Sequence, residues 1–215
     1  MAKSATLAHF LFCETQVQHT CKPSLELLRT LVARCKVHYL NAPKQFISRH
    51  LYLQLCWQTI YAYCYWFTTG QSTINPMHLR LNLHGAYCRG FNLINAPLTS
   101  KAQQYKALTD YVTQVGEWVN TDYALGHKEQ GRLLLDLLSA AFERAHHLAL
   151  ANTTHINHCH TQLHTLICQQ FSLNEVLSDS TMRLTCCRYY LAGYNKCQNC
   201  PKKDSKKNEP TSQND

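Results

Sequence analysis

Residues 44–67 constrain the fold most, because apolar and aromatic side chains recur there on nearly every face of the helix they would form. Residues 51–69 carry no charge, and Trp57, Trp66, Cys56, Cys64 and several tyrosines are spread around the helix instead of lining one stripe. A helix that is apolar all round is a buried helix, and Gly70 is a natural stop for it. Gln54 and Gln58 interrupt the run, which is also short of the about 20 mostly apolar residues that a bilayer span needs. The expectation is a core helix, with no transmembrane segment. Cys56 and Cys64, eight residues apart on it, are expected to be buried thiols.

The remaining elements follow from period and punctuation. From Pro23 the spacing of Leu27, Leu28, Leu31 and Val32 predicts an amphipathic helix that ends at Asn41-Ala42-Pro43. Residues 78–84 alternate strictly, with Leu79, Leu81 and Leu83 opposite His78, Arg80, Asn82 and His84. That is the period of a half-buried strand, and Gly85-Ala86 turns it into a second strand, giving a hairpin near residues 77–94. Its polar face is either a solvated surface or a seat for an oxygen-rich chelate. Ser100 and Gln103 form a capping-box pattern before a helix with Tyr105, Leu108, Val112, Val115 and Trp118 or Val119 inward. Helices are also predicted over 128–151, with Leu134, Leu135, Leu137, Leu138, Ala141, Phe142 and Ala145 as a broad apolar face, and over 154–171. Ser172 with Glu175 would cap one further short turn.

These elements predict a mainly α protein: a single helical domain with a small β-hairpin and a C-terminal cysteine-cluster loop. Residues 1–182 form the body, 183–201 the cysteine segment, and 202–215 a polar, lysine-rich tail expected to be disordered. No internal repeat is present.

A chain of 215 residues buries enough surface to fold without disulfide staples, so its twelve cysteines have another explanation. Eight of them, Cys13, Cys21, Cys35, Cys56, Cys64, Cys88, Cys159 and Cys168, lie on unrelated segments without the spacing of a small secreted scaffold. Reduced thiols in a cytoplasmic protein fit best, and the N-terminal MAKSATLAHFLFC is a poor secretory signal. The formal charge is +8, of which residues 1–187 carry +5, from 15 basic and 10 acidic side chains. No arginine stripe or aromatic platform marks nucleic-acid binding, and no glycine-rich dinucleotide or phosphate loop is present.

The chemistry concentrates in the run CCRYYLAGYNKCQNCP, where Cys186, Cys187, Cys197 and Cys200 place four thiolates within fifteen residues. That is the ligand set of an iron-sulfur cluster or a structural zinc. Cys197 and Cys200 form a Cys-x-x-Cys knuckle. Cys186 and Cys187 are adjacent, and adjacent side chains of an extended segment point apart, so facing one cofactor requires a kinked backbone. A binuclear 2Fe-2S cluster offers more than one iron as target and relaxes that demand relative to a single zinc.

At these residues the sequence resembles the FhuF-type siderophore ferric-iron reductases, which carry Cys-Cys, a gap of about ten, and Cys-x-x-Cys near the C-terminus. Arg188, Tyr189 and Pro201 also match, while the gap here holds nine residues, which suggests a divergent branch. The specific likeness covers residues 183–201. It implies a cytoplasmic oxidoreductase in which the four cysteines hold a 2Fe-2S cluster that reduces a ferric siderophore. It also implies an external one-electron donor, a ferredoxin or flavoprotein, and allows peripheral association with the inner membrane. Arg188 and Lys196 flank the ligands, and Tyr189, Tyr190 and Tyr194 are expected to pack over the cluster. A zinc-stabilised interaction protein and a 2Fe-2S carrier or redox sensor without substrate are the alternatives. Residues 155–168, HINHCHTQLHTLIC, pair His155 with Cys159, His160 with His164, and His164 with Cys168 at four-residue spacing; these are either polar helix positions or a second metal site.

Overall fold

The computed structural model describes residues 7–11, 20–92, 98–175, 177 and 183–202. The expected tail falls almost wholly outside them.

The apolar stretch forms α3, Lys44–Thr69, with Gly70 in the left-handed conformation (φ 67°) ending it as expected. It is buried on nearly all sides because the other elements surround it: α2 (Leu25–His38), α4 (Lys101–Asp122), α5 (His127–His147) and α6 (Thr153–Phe171) all pack on it. A four-residue turn of helix, α1 (Leu7–Phe10), covers its C-terminal half, where Phe10 packs against Tyr61 and Tyr65. No described helix is long and apolar enough to cross a membrane.

Local chemistry sets the helix ends. Ser24 Oγ accepts the Leu27 N–H at 3.1 Å and Asn152 Oδ1 accepts the His155 N–H at 2.8 Å, each satisfying a first-turn donor. Ser100 stands at the start of α4 as expected, but its hydroxyl bonds the Gln103 side chain instead of the backbone. In α4, Val119 is fully buried and Trp118 only half-buried. The α5 helix stops at His147, earlier than its apolar period suggested, because Ala149 takes a positive φ of 47° and turns the chain. Ser172 closes α6 in the left-handed region (φ 51°), so it ends a helix and does not open the expected further turn. Gly131 lets α5 approach the end of α6: a Cβ there would lie 2.5 Å from that of Phe171.

The hairpin is present as β3 (Arg80–His84) and β4 (Tyr87–Asn92), antiparallel, with His84 opposite Tyr87. Leu79 and Leu81 are buried while Arg80 and His84 are exposed, as the alternation requires. His78 belongs to a 3-10 turn, Pro76–His78, and not to the strand. The register shifts by one residue between Leu81 and Leu83, where β4 bulges around Gly90 at φ 82°. A two-residue strand, β1 (Thr20–Cys21), extends this sheet, and β2 (Thr73–Ile74) pairs separately with β5 (Leu98–Thr99).

The sheet is fixed to α3 by side chains that reach its backbone. Gln54 Oε1 accepts the Cys88 N–H at 2.9 Å, Trp57 Nε1 donates to the Cys88 carbonyl at 3.1 Å, and His50 Nε2 lies 2.8 Å from the Ala86 carbonyl. Polar residues inside this otherwise apolar helix therefore satisfy strand groups that water cannot reach. Arg49, also buried, pairs with Glu129 at the start of α5. Cys56 and Cys64 are fully buried, as expected.

Candidate functional site

The cysteine segment, residues 183–202, folds back across the N-terminal half of α3 and the middle of α5. Its two ends meet where the Arg183 N–H donates to the Asn199 carbonyl at 3.1 Å. Before the adjacent cysteines, both oxygens of Asp136 accept backbone N–H groups, from Leu184 at 2.7 Å and Thr185 at 3.2 Å. Directly after them, Arg188 adopts the left-handed conformation (φ 60°), which is uncommon for a residue with a side chain. This turns the chain sharply as it leaves the adjacent cysteines. A 3-10 turn, Tyr189–Ala192, follows and ends at Gly193.

Cys186, Cys187, Cys197 and Cys200 all line one cleft of about 490 Å³. Cys186 and Cys187 are 7% exposed and Cys200 1%, while Cys197 is half-buried at the mouth. Cys186 Sγ and Cys200 Sγ are 3.7 Å apart. Two thiolates at about 2.3 Å from one tetrahedral metal would stand about 3.8 Å apart, so this pair has the separation of co-ligands. Among the described residues no three His, Cys, Asp or Glu side chains close around one point as a single-ion site. The four sulfurs share a cleft without forming a mononuclear cage.

The electrostatics divide the thiols. Burial raises the pKa of Cys186, opposed by the Arg188 N–H, which donates to its sulfur at 3.4 Å. Cys197 is likewise raised by burial, with the Arg183 guanidinium working against it. At Cys200 burial also pushes upward, but the Lys202 N–H, the thiols of Cys186 and Cys197 and the Lys196 ammonium outweigh it, and its thiol is net lowered.

Helix α3 supplies Gln54, Trp57 and Tyr61 to the cleft, α5 supplies Leu133, Asp136 and Leu137, and the segment itself adds Tyr190, Tyr194 and Lys196. Lys196 stands 5.8 Å from the Tyr190 ring and donates to the Lys202 carbonyl at 2.7 Å. Tyr190 and Tyr194 border the cleft as expected of rings near the ligands. Tyr189 borders it too, but its hydroxyl turns inward and lies 2.7 Å from His50 Nδ1. Because Nε2 of that ring faces a carbonyl, it carries the proton and Nδ1 accepts from Tyr189. Burial lowers the His50 pKa to about 4, partly offset by the Ala86 carbonyl, and His38 adds a small further depression. Phe46 and Tyr39 pack edge-on around this ring pair.

Sequence reasoning identified the four cysteines and the residues beside them, and missed Asp136, His50 and Trp57. One signal for Asp136 was readable: it is the lone acid within the apolar run LLLDLLSAAF of α5.

The histidine-rich stretch lies along α6. His155 Nε2 approaches Cys159 Sγ to 3.6 Å and His164 Nδ1 approaches Cys168 Sγ to 3.7 Å, as four-residue spacing dictates. They remain pairs, with no third ligand among the described residues. The polar strand face of Arg80 and His84 is not part of the cleft.

Comparison with protein-family models, curated proteins and solved structures gave no match.

Proposed function

We propose that the protein is a ferric-siderophore reductase in which Cys186, Cys187, Cys197 and Cys200 hold a 2Fe-2S cluster. The convergence of these four sulfurs on one half-open cleft carries this function, together with the resemblance of residues 183–201 to the FhuF-type reductases. The donor set fits the group. Four thiols are present, one pair has co-ligand separation, and backbone N–H groups already point at two of the sulfurs. When bound, a thiolate-ligated 2Fe-2S centre supplies one electron at a potential tuned by charge, hydrogen bonds and exposure.

The chain's own residues then have three tasks. Arg183 and Lys196 offset the negative charge of four thiolates at the cleft wall. Trp57, Tyr61, Leu133 and Leu137 exclude water from one side of the cleft, whose volume lies within the range of small-molecule sites. The open mouth at Cys197 admits the chelate and an external one-electron donor, a ferredoxin or flavoprotein. Ferric iron is a hard ion held tightly by siderophore oxygens, and ferrous iron is held far more weakly, so a single electron suffices to release it. The helical body in front of the cysteine segment supplies two walls of the cleft, which favours a substrate-handling role over that of a simple carrier.

The test is anaerobic purification followed by visible and paramagnetic resonance spectroscopy, and turnover of a ferric siderophore with a chemical reductant and a ferrous trap. A brown protein with a reduced 2Fe-2S signal that accelerates ferrous release is the expected result. A colourless protein with one zinc per chain would make it a zinc-stabilised helical protein, and a brown protein inert towards ferric chelates a carrier or sensor.

A further inference from the structure

The adjacent cysteines pose a geometric problem that the body of the protein solves from outside the segment. Asp136 sits in the middle of α5, on a stretch whose neighbours Leu133, Leu134, Leu135 and Leu138 are buried in the core. Asp136 itself is half-buried, and a carboxylate drawn partly out of water costs free energy unless its oxygens are satisfied. Here both are satisfied by consecutive backbone N–H groups, those of Leu184 and Thr185. Those two peptides lead directly into Cys186 and Cys187. Among the described residues that line the cleft, Asp136 is the one carboxylate.

Two consecutive N–H groups of an extended strand point in opposite directions, so their capture by one carboxylate forces a turn at residues 184–185. With the left-handed Arg188 on the other side, the pair is bent from both ends. Asp136 also brings a negative charge to the wall that carries the thiols. Burial holds its carboxyl up at about 6, while the two N–H donors and the Arg183 guanidinium favour the charged form.

We infer that Asp136 is a positioning residue for the metal centre: its carboxylate, clamped on the N–H groups of Leu184 and Thr185, bends the chain so that Cys186 and Cys187 serve one cofactor, and its charge lowers the potential of that cofactor. This rests on the four cysteines being metal ligands and not on the reductase activity; the positioning part holds for any metal, and the effect on potential for a redox-active centre. Outer groups that orient metal ligands are worth about 10–100-fold in metal affinity.

The experiment uses the full chain loaded anaerobically with Co(II), whose thiolate charge-transfer and d–d bands report ligand number and symmetry. Asp136→Ala should weaken Co(II) binding by about 10–100-fold, alter the d–d pattern and speed hydrogen exchange at the amides of Leu184 and Thr185. Asp136→Asn keeps one acceptor oxygen and loses the charge. It should bind Co(II) with an intermediate affinity and, loaded with iron and sulfide, titrate at a higher midpoint potential than wild type. If the alanine variant fails to fold, the asparagine variant carries the test, with the metal-free thermal melt as control. Affinity, d–d pattern and potential all unchanged in Asp136→Asn overturn the inference while leaving the metal reading intact. A wild-type chain that forms no thiolate–cobalt bands overturns both. Cobalt binding that depends on Asp136 in a protein that assembles no 2Fe-2S centre supports the inference and sinks the proposed reductase.

Discussion

Acidification should destabilise this protein, with His50 as one identifiable contributor. His50 is fully buried, donates from Nε2 to Ala86 and accepts at Nδ1 from Tyr189, so the neutral ring is satisfied at both nitrogens while a charged ring would be cut off from water. Burial holds its pKa at about 4, against 6.5 for the ordinary side chain, so the unfolded chain takes up a proton over a range where the folded chain does not. Its contribution to stability is therefore complete above pH 6.5 and is lost as pH falls through the window from 6.5 to about 4. The gap between those values, at about 1.36 kcal/mol per pH unit, corresponds to about 3 kcal/mol in full and about 2 kcal/mol already at about pH 5. His160, lowered to about 4 by burial and by His164 and His146, adds a loss of the same sign, so the wild-type pH slope alone does not isolate His50. His50→Gln retains a donor for Ala86 and an acceptor for Tyr189 but has nothing to titrate. Urea unfolding of both proteins, metal-free and reduced, should show wild type losing about 2 kcal/mol more than the variant between about pH 7.5 and 5. The ring resonances of His50 should stay unshifted until below about pH 5. Parallel losses in the two proteins, or a His50 that titrates near the ordinary histidine value, would refute the assignment.

Further outcomes follow from other sites. Cys186→Ser and Cys200→Ser should each abolish the thiolate–metal absorption, whereas replacing the exposed Cys21 should leave it unchanged, as measured by metal content and visible spectra. Glu129→Ala leaves the buried Arg49 guanidinium without its counter-ion and should cost about 3 kcal/mol in denaturant unfolding, while a surface charge change such as Asp110→Ala should cost under about 1 kcal/mol. Gly131→Ala forces a methyl against Phe171 where α5 and α6 meet, and should destabilise by about 1–3 kcal/mol with a lowered melting temperature.

The elements that were legible in the sequence are those whose signal is local. The all-round apolar pattern and Gly70 define α3, the alternation around Leu79, Leu81 and Leu83 defines the hairpin, and the cysteine spacing picks out the sulfurs that line the cleft. What was illegible depends on partners far apart in the chain. Thr20–Cys21 becomes a strand only because Asn82 and Leu81 offer it an edge, and two residues carry no period of their own. Ser172 has the side chain of a helix-opening residue and closes a helix instead, because residues 169–173 turn back on the end of α6 through backbone hydrogen bonds. Asp136 and His50 act on the cysteine segment across 48 and 139 residues of sequence, distances over which no spacing rule operates. Three tyrosines near the ligands read as equivalent in the sequence. All three border the cleft, and Tyr189 is distinguished by its hydroxyl, which turns inward to His50.

Helix α3 also sets where this chain tolerates a change of length. His50, Gln54 and Trp57 meet the hairpin backbone at Ala86 and Cys88, and Gln54, Trp57 and Tyr61 form a wall of the cleft, all from one uninterrupted rod. One residue inserted between His50 and Trp57 would rotate everything beyond it by about 100° and advance it by about 1.5 Å. The hairpin would lose its register on the helix and the cleft would lose its wall in the same step. A change of length in this chain is therefore better absorbed in the turns than between His50 and Tyr61.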